Sequence, residues 1–170
     1  SKNADIYLKS ENLQKTGSFK VRGAYAKIAQ LSAEQKKRGI IACSAGNHAQ
    51  GVALSAQKSG IESTIFIPST APISKIEATK SYGAHIRLVD GVYDDAYNEA
   101  VKFQKETGAE FIHPFDDIEV IAGQGTIALE ILEQLPEVEA IIVPIGGGGL
   151  ISGIAYTCLL YTSDAADEED

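Results

Sequence analysis

Apolar runs recur along this chain at a spacing that leaves room for a helix between neighbours, beginning near residues 40, 64, 85, 110 and 140. Ile40-Ile41-Ala42-Cys43 shows no polar alternation, the pattern of a strand covered on both faces. Ala49, Val52, Ala53 and Ala56 then fall on one helix face, and Gly60 ends that helix. Thr64-Ile65-Phe66-Ile67 reads as the next strand, and Pro72 opens a helix to Tyr82 that Gly83 stops. A strand from His85 to Val89 and a helix through Tyr93, Ala96, Tyr97 and Ala100, ending at Gly108, repeat the unit. Phe111-Ile112, a helix from about Val120 to Leu135, Ala140-Ile141-Ile142-Val143-Pro144 and a helix from near Leu150 complete it. Upstream, Ile6-Tyr7-Leu8-Lys9 reads as a short strand, a helix runs to about Leu31, and Ser32-Ala33-Glu34 opens a short one before Gly39. Repeated strand–helix crossover predicts an α/β fold around a mostly parallel sheet.

Composition narrows the class of function. The chain has 170 residues, 44% hydrophobic and 22% charged, which suits one globular core or two small lobes. Net charge is −8, and five of the acids fall in the last seven residues. An acidic chain without a basic patch argues against nucleic acid. No run of eighteen apolar residues suggests a membrane span, and no apolar stretch after Ser1-Lys2-Asn3-Ala4-Asp5 suggests a signal peptide. Cys43 and Cys158 are far apart, which fits a reducing compartment, and cytoplasmic localisation is expected.

Three stretches carry chemistry. In the first, Ser18 is a plausible N-cap of a helix whose apolar stripe is Val21, Ala24, Tyr25, Ile28 and Leu31. Lys20 falls in the first turn, off that stripe. A helix N-terminus disfavours a cation, and a deprotonated lysine can attack a carbonyl cofactor. A solvated lysine is the plain alternative. In the second, Ser44-Ala45-Gly46-Asn47-His48 joins a strand to a helix at the carboxyl end of the sheet, where amides can hold an anion. An ordinary tight turn reads the same way. In the third, Gly146-Gly147-Gly148-Gly149 joins an apolar strand to an apolar helix, so several amides can converge on a phosphate. A linker is the alternative, and neither a Walker nor a dinucleotide pattern is present. His85 and His113 read as structural, Asp94-Asp95 and Asp116-Asp117 as helix-start residues, and no metal-ligand spacing occurs.

The words of these stretches add a resemblance. Lys9, Glu11, Asn12 and Gly17-Ser18-Phe19-Lys20-Val21-Arg22-Gly23 resemble the cofactor-lysine segment of pyridoxal-phosphate enzymes of the tryptophan-synthase-beta type, in particular the threonine/serine dehydratases. Leu13-Gln14 and Val21 look like the dehydratase and serine-racemase branch. Ser44-Ala45-Gly46-Asn47-His48-Ala49-Gln50-Gly51 is similar to the asparagine loop of those dehydratases. The resemblance covers residues 4–157. It implies a fold-type II enzyme, with a small lobe at 44–115 and parts of a large lobe at 1–43 and 116–158. It implies pyridoxal 5'-phosphate as cofactor, carried by Lys20 beside Phe19, with Asn47 at the ring's phenolic oxygen and Gly146, Gly147, Gly148 and Gly149 at the phosphate. Ser44, Ala45, Gly46, Asn47 and His48 would hold an amino-acid substrate.

The activity so implied is conversion of L-threonine or L-serine to 2-oxobutanoate or pyruvate and ammonia. The resemblance also implies a homo-oligomeric parent. A racemase on the same scaffold would need a second base, a serine, in a region of the small lobe where this chain has none after Ser81. Family members are roughly twice as long, so a truncated chain, catalytically weak or merely cofactor-binding, is the remaining expectation. Residues 159–170 resemble translated adapter sequence and are expected to form a disordered, artefactual tail.

Overall fold

A computed structural model describes residues 5–167, with side chains as far as residue 161. What the sequence predicts for residues 1–4 and 168–170 lies outside the described residues. A short 3₁₀ turn, Glu11–Leu13, precedes helices α1 (Lys20–Ala29) and α2 (Ala33–Arg38). Strands β1 (Ile40–Cys43), β2 (Ser63–Pro68), β3 (His85–Val89) and β4 (Glu110–Phe111) alternate with α3 (Asn47–Ser59), α4 (Ile73–Ser81) and α5 (Tyr93–Thr107). Helices α6 (Ile118–Gln134) and α7 (Gly149–Asp167) follow. All strand pairs are parallel, in the order β3-β2-β1-β4, with Ile40 opposite both Ser63 and Glu110.

The unbroken apolar character of β1 has a direct cause. Ile40 and Ala42, with Ile65 and Ile67 of β2, pack on Ala49, Val52, Ala53 and Ala56 of α3 and on Ala24 and Ile28 of α1. Ile41, Cys43 and Phe66 point the other way, onto Ala96 and Ala100 of α5. Both faces of the central strand are thus covered. A separate cluster, Ile127, Ala128 and Ile154, joins α6 to α7 and receives Phe19.

Four expectations need correction. A boundary between 43 and 44 would cut the sheet, because β1 lies at its centre, hydrogen-bonded to β2 and β4. The segments 6–9 and 140–144 are not strands. Ile6 and Leu8 are 84% and 87% exposed, and Ile142 is 98% exposed. Residues 140–144 keep a strand's alternation, since Ile141 and Val143 pack beneath α6 and α7. A strand also needs a neighbour for its amides and carbonyls, and among the described residues neither segment has one. Finally, α7 stays helical to Asp167 where disorder was expected from 159, because an established helix propagates at little cost through residues such as Leu and Ala.

Two helix crossings fix the start of α1. A Cβ built on Gly51 of α3 would stand 3.0 Å from the carbonyl carbon of Lys20 and the amide nitrogen of Val21. One built on Gly123 of α6 would stand 2.6 Å from Gly23 Cα and 2.7 Å from Arg22 O. These are main-chain atoms that no rotamer change can move. Alanine at an open helical site stabilises by up to about 1 kcal/mol over glycine, whereas overpacking costs about 1–3 kcal/mol. Gly123→Ala is therefore expected to lower stability by about 1 kcal/mol or more in urea denaturation.

Candidate functional site

Lys20 opens α1. Ser18 Oγ accepts from the Lys20 amide at 3.3 Å, so this hydroxyl shapes the turn leading in, while Phe19 occupies the cap position itself. On the expected stripe Ala24, Ile28 and Leu31 are buried, but Tyr25 is 55% exposed. The Lys20 ammonium is half-buried and donates to the Pro114 carbonyl at 2.6 Å. Burial holds its pKa below the ordinary lysine value, since desolvation penalises the charged form. The positive end of α1 acts in the same sense. The Phe19 ring packs on the α6–α7 cluster, its centroid 5.4 Å from Lys20 Nζ.

The residues around the lysine form a clamp. Arg22 holds Glu11 through Nε and Nη2, at 2.8 and 2.9 Å, and Glu130 through Nη1 and Nη2, at 2.6 and 2.8 Å. Lys9 joins Glu130 at 2.6 Å and Gln134 at 2.9 Å. Glu130 is held down at a pKa of about 2, chiefly by its hydrogen bonds to Arg22 and then Lys9. Further along, Lys27 bridges Asp117 and Glu119 at 3.0 Å each, and Asp117 caps α6 by accepting from the Glu119 and Val120 amides. Bidentate arginine pairs fix orientation as well as distance. The lysine loop, α1 and α6 are thereby one unit. Glu130 was not foreseen from the sequence; its only signal was three charges, Lys9, Glu11 and Arg22, awaiting a partner.

The asparagine loop meets this unit through α3. Ser44 Oγ accepts from the Gly46 amide at 3.1 Å and so shapes its own turn. Ala45 and Gly46 are half-buried, and Asn47 opens α3 exposed, one turn before Gly51 touches the Lys20 main chain. His48 is 3% exposed. Its Nε2 donates to the Ile112 carbonyl at 2.8 Å, leaving Nδ1 as a buried atom without a partner. Its pKa is pushed down to about 4, first by burial, with Lys20 and His113 adding repulsion. This places His48 as a neutral tie between α3 and the segment after β4, beside the lysine.

In that segment His113 is structural, as expected, but the parts of Pro114 and Phe115 were not anticipated. His113 Nδ1 accepts from the Phe115 and Asp116 amides at 3.3 and 2.8 Å, closing a turn that presents the Pro114 carbonyl to Lys20. Phe115 lies against Gly147 and Gly149. A pocket of about 160 Å³ opens there, lined by Phe115, Asp116, Ile121, Gly147, Gly148, Gly149 and Ser152. Ligand pockets usually start near ~300 Å³, so this one suits the end of a ligand rather than the whole. Gly148 has φ +89°, a left-handed conformation that suits glycine. Gly149 begins α7, whose free amides and positive end favour an anion. Asp116 stays exposed at the rim. Thus Lys20 and the glycine loop meet adjacent residues, Pro114 and Phe115, of one short turn. Among the described residues no cluster of His, Cys, Asp or Glu could hold a metal ion, and no helix is long and apolar enough to cross a membrane.

Comparison with known proteins decides the family. The family model described as "Pyridoxal-phosphate dependent enzyme" matches residues 1–163. The chain belongs to this pyridoxal-phosphate-dependent enzyme family. It is 62% identical to the L-threonine ammonia-lyase of Thermotoga maritima over 89% of its own length and 38% of the relative's. It is 56% identical to the catabolic L-threonine dehydratase of Staphylococcus aureus strain N315, over 89% and 44% respectively. The structure of processed threonine deaminase isoform 2 from Solanum lycopersicum superimposes with a TM-score of 0.87, at 44% identity, over 89% of this chain and 42% of that one. The chain therefore spans about two-fifths of the length of these relatives.

The residues present fit the cofactor of this family: a half-buried lysine of lowered pKa, a buried His48 Nδ1 without a partner, and a glycine turn at a helix start. The state of His48 predicts a pH effect. Its folded pKa lies below the ordinary 6.5, so the unfolded chain binds the proton first. Stability is then expected to fall as pH drops from about 6.5 to about 4, by on the order of 3 kcal/mol. Urea titrations across that window check it, and His48→Asn should flatten the fall.

Proposed function

We propose that this chain is the lysine- and glycine-loop-bearing part of a threonine ammonia-lyase-like enzyme acting on L-threonine (or L-serine), releasing 2-oxobutanoate (or pyruvate) and ammonia. The carrying observation is Lys20 itself, half-buried at the start of α1 and joined through Pro114 and Phe115 to the glycine loop. Its relatives named L-threonine ammonia-lyase and L-threonine dehydratase support the reading.

In this reading Gly147, Gly148 and Gly149 hold the phosphate of pyridoxal phosphate with their amides, and Asn47 faces the ring's phenolic oxygen. Bound, the cofactor supplies a carbonyl for Lys20 and an electron sink for the pair left when the substrate's α-proton departs. Burial biases Lys20 toward the neutral form, in which Nζ serves as nucleophile and, once freed, takes the α-proton. The amides of Ala45 and Asn47, at the start of α3, hold the substrate carboxylate, since those of Ser44 and Gly46 are taken by Phe66 O and Ser44 Oγ. The clamp from Arg22 to Glu11 and Glu130 keeps Lys20 from drifting. The β-hydroxyl leaves as water, and hydrolysis of the released enamine returns a water and yields keto acid and ammonia. Two lobes, with the site between them, a cytoplasmic location and homo-oligomeric assembly belong to the same reading.

The test is keto-acid release from L-threonine and L-serine by the protein that contains this segment. Lys20→Ala is expected to lower the rate by about 10³-fold or more. No keto acid from either amino acid would sink the assignment, and D-serine formed faster than pyruvate would replace it with a racemase. Residues 1–170 alone are expected to take up the cofactor loosely and turn over weakly.

A further inference from the structure

The sequence gives all four glycines of 146–149 one purpose, contact with a phosphate. The structure divides them. Around Gly146 and Gly148 an added Cβ would meet nothing within 4 Å. At Gly147 it would strike the Phe115 ring, 2.5 Å from Cγ, and at Gly149 it would stand 2.9 Å from Phe115 O and 3.0 Å from its Cα. Two of the glycines are thus required by a neighbouring side chain and its main chain.

Phe115 is not there as core. It is 38% exposed and faces the pocket at the glycine loop. What fixes it is local. The His113 ring meets it edge to face, centroids 4.8 Å apart at 85°. His113 Nδ1 also accepts from its amide. The preceding carbonyl, Pro114 O, takes the Lys20 ammonium at 2.6 Å, and Ile112 O is tied to His48 at 2.8 Å. Residues 112–116 therefore touch α1, α3 and the glycine loop at once. A flexible four-glycine turn loses much conformational entropy on ordering. A rigid ring against it would restrict it before any ligand arrives.

We infer that Phe115 is a positioning residue for the phosphate end of the cofactor, its ring pre-setting the glycine loop while the His113 turn holds that ring at a fixed offset from Lys20. This deepens the reading proposed above and rests on it. Phe115 acts through the loop amides and forms no bond to the reacting atoms. Losing it should weaken ligands that carry a phosphate and spare those that do not.

The experiment uses residues 1–170 and compares pyridoxal phosphate with pyridoxal in equilibrium binding, alongside hydrogen exchange at the 146–149 amides without ligand. Phe115→Ala is expected to weaken pyridoxal phosphate by about tenfold, and pyridoxal by less than about twofold. The glycine amides should exchange faster. Phe115→Tyr should restore both properties. Gly147→Ala, which displaces the ring from the other side, should reproduce the selective loss and serves if Phe115→Ala fails to fold. Equal losses for both ligands, or unchanged binding and exchange, would overturn the inference. Should the wild-type chain take up neither ligand, the expected loose uptake by residues 1–170 falls, and exchange still decides whether Phe115 orders the loop: faster in the variant supports it, unchanged refutes it.

Discussion

The site depends on how closely three helices meet at the first turn of α1. Gly51 lets α3 touch the Lys20 and Val21 main chain, and Gly23 and Gly123 let α1 and α6 touch each other. At that junction there is no room for a side chain, so the backbone bearing Lys20 has little freedom. Arg22, one turn-fraction further on, adds direction by gripping Glu11 before the helix and Glu130 on α6. Packing fixes where the lysine is. The ion pairs fix how the loop leading to it enters.

Electrostatics then follows from position. A lysine in the middle of an exposed helix would keep its ordinary pKa. Lys20 is half-buried at a helix start, held by a backbone carbonyl and by no carboxylate among the described residues, and burial shifts it toward the neutral form. His48 is neutral for the same reason and more strongly so. A second cation beside Lys20 would have to be desolvated and would repel the ammonium. The neutral imidazole instead spends its one N–H on Ile112 O. The same burial thus sets the charge of both groups.

Much of this was legible in the sequence because it is local. The helix at 47–59 with its Gly60 stop, the cap at Asp117 and the apolar strand at 40–43 are set by neighbours in the chain. The family was legible too, from a motif long enough to carry a resemblance. What escaped was long-range. Glu130 lies 108 residues from Arg22, and Pro114 lies 94 residues from Lys20. A carbonyl acceptor leaves no trace in residue type, since every residue has one. The segments 6–9 and 140–144 have the composition of strands, but pairing depends on what lies alongside. The placing of a lobe boundary after β1, a strand whose sheet character was legible, failed because it took no account of β1's hydrogen-bonded neighbours β2 and β4.

The central claim is that Lys20 is the attachment point for the cofactor. The most direct measurement treats the chain with substoichiometric pyridoxal phosphate, reduces the adduct with borohydride and maps the modified peptide by mass spectrometry. The account predicts the label at Lys20, with exposed lysines such as Lys75 and Lys80 unmodified. A label spread over those exposed lysines, with Lys20 left free, would contradict it.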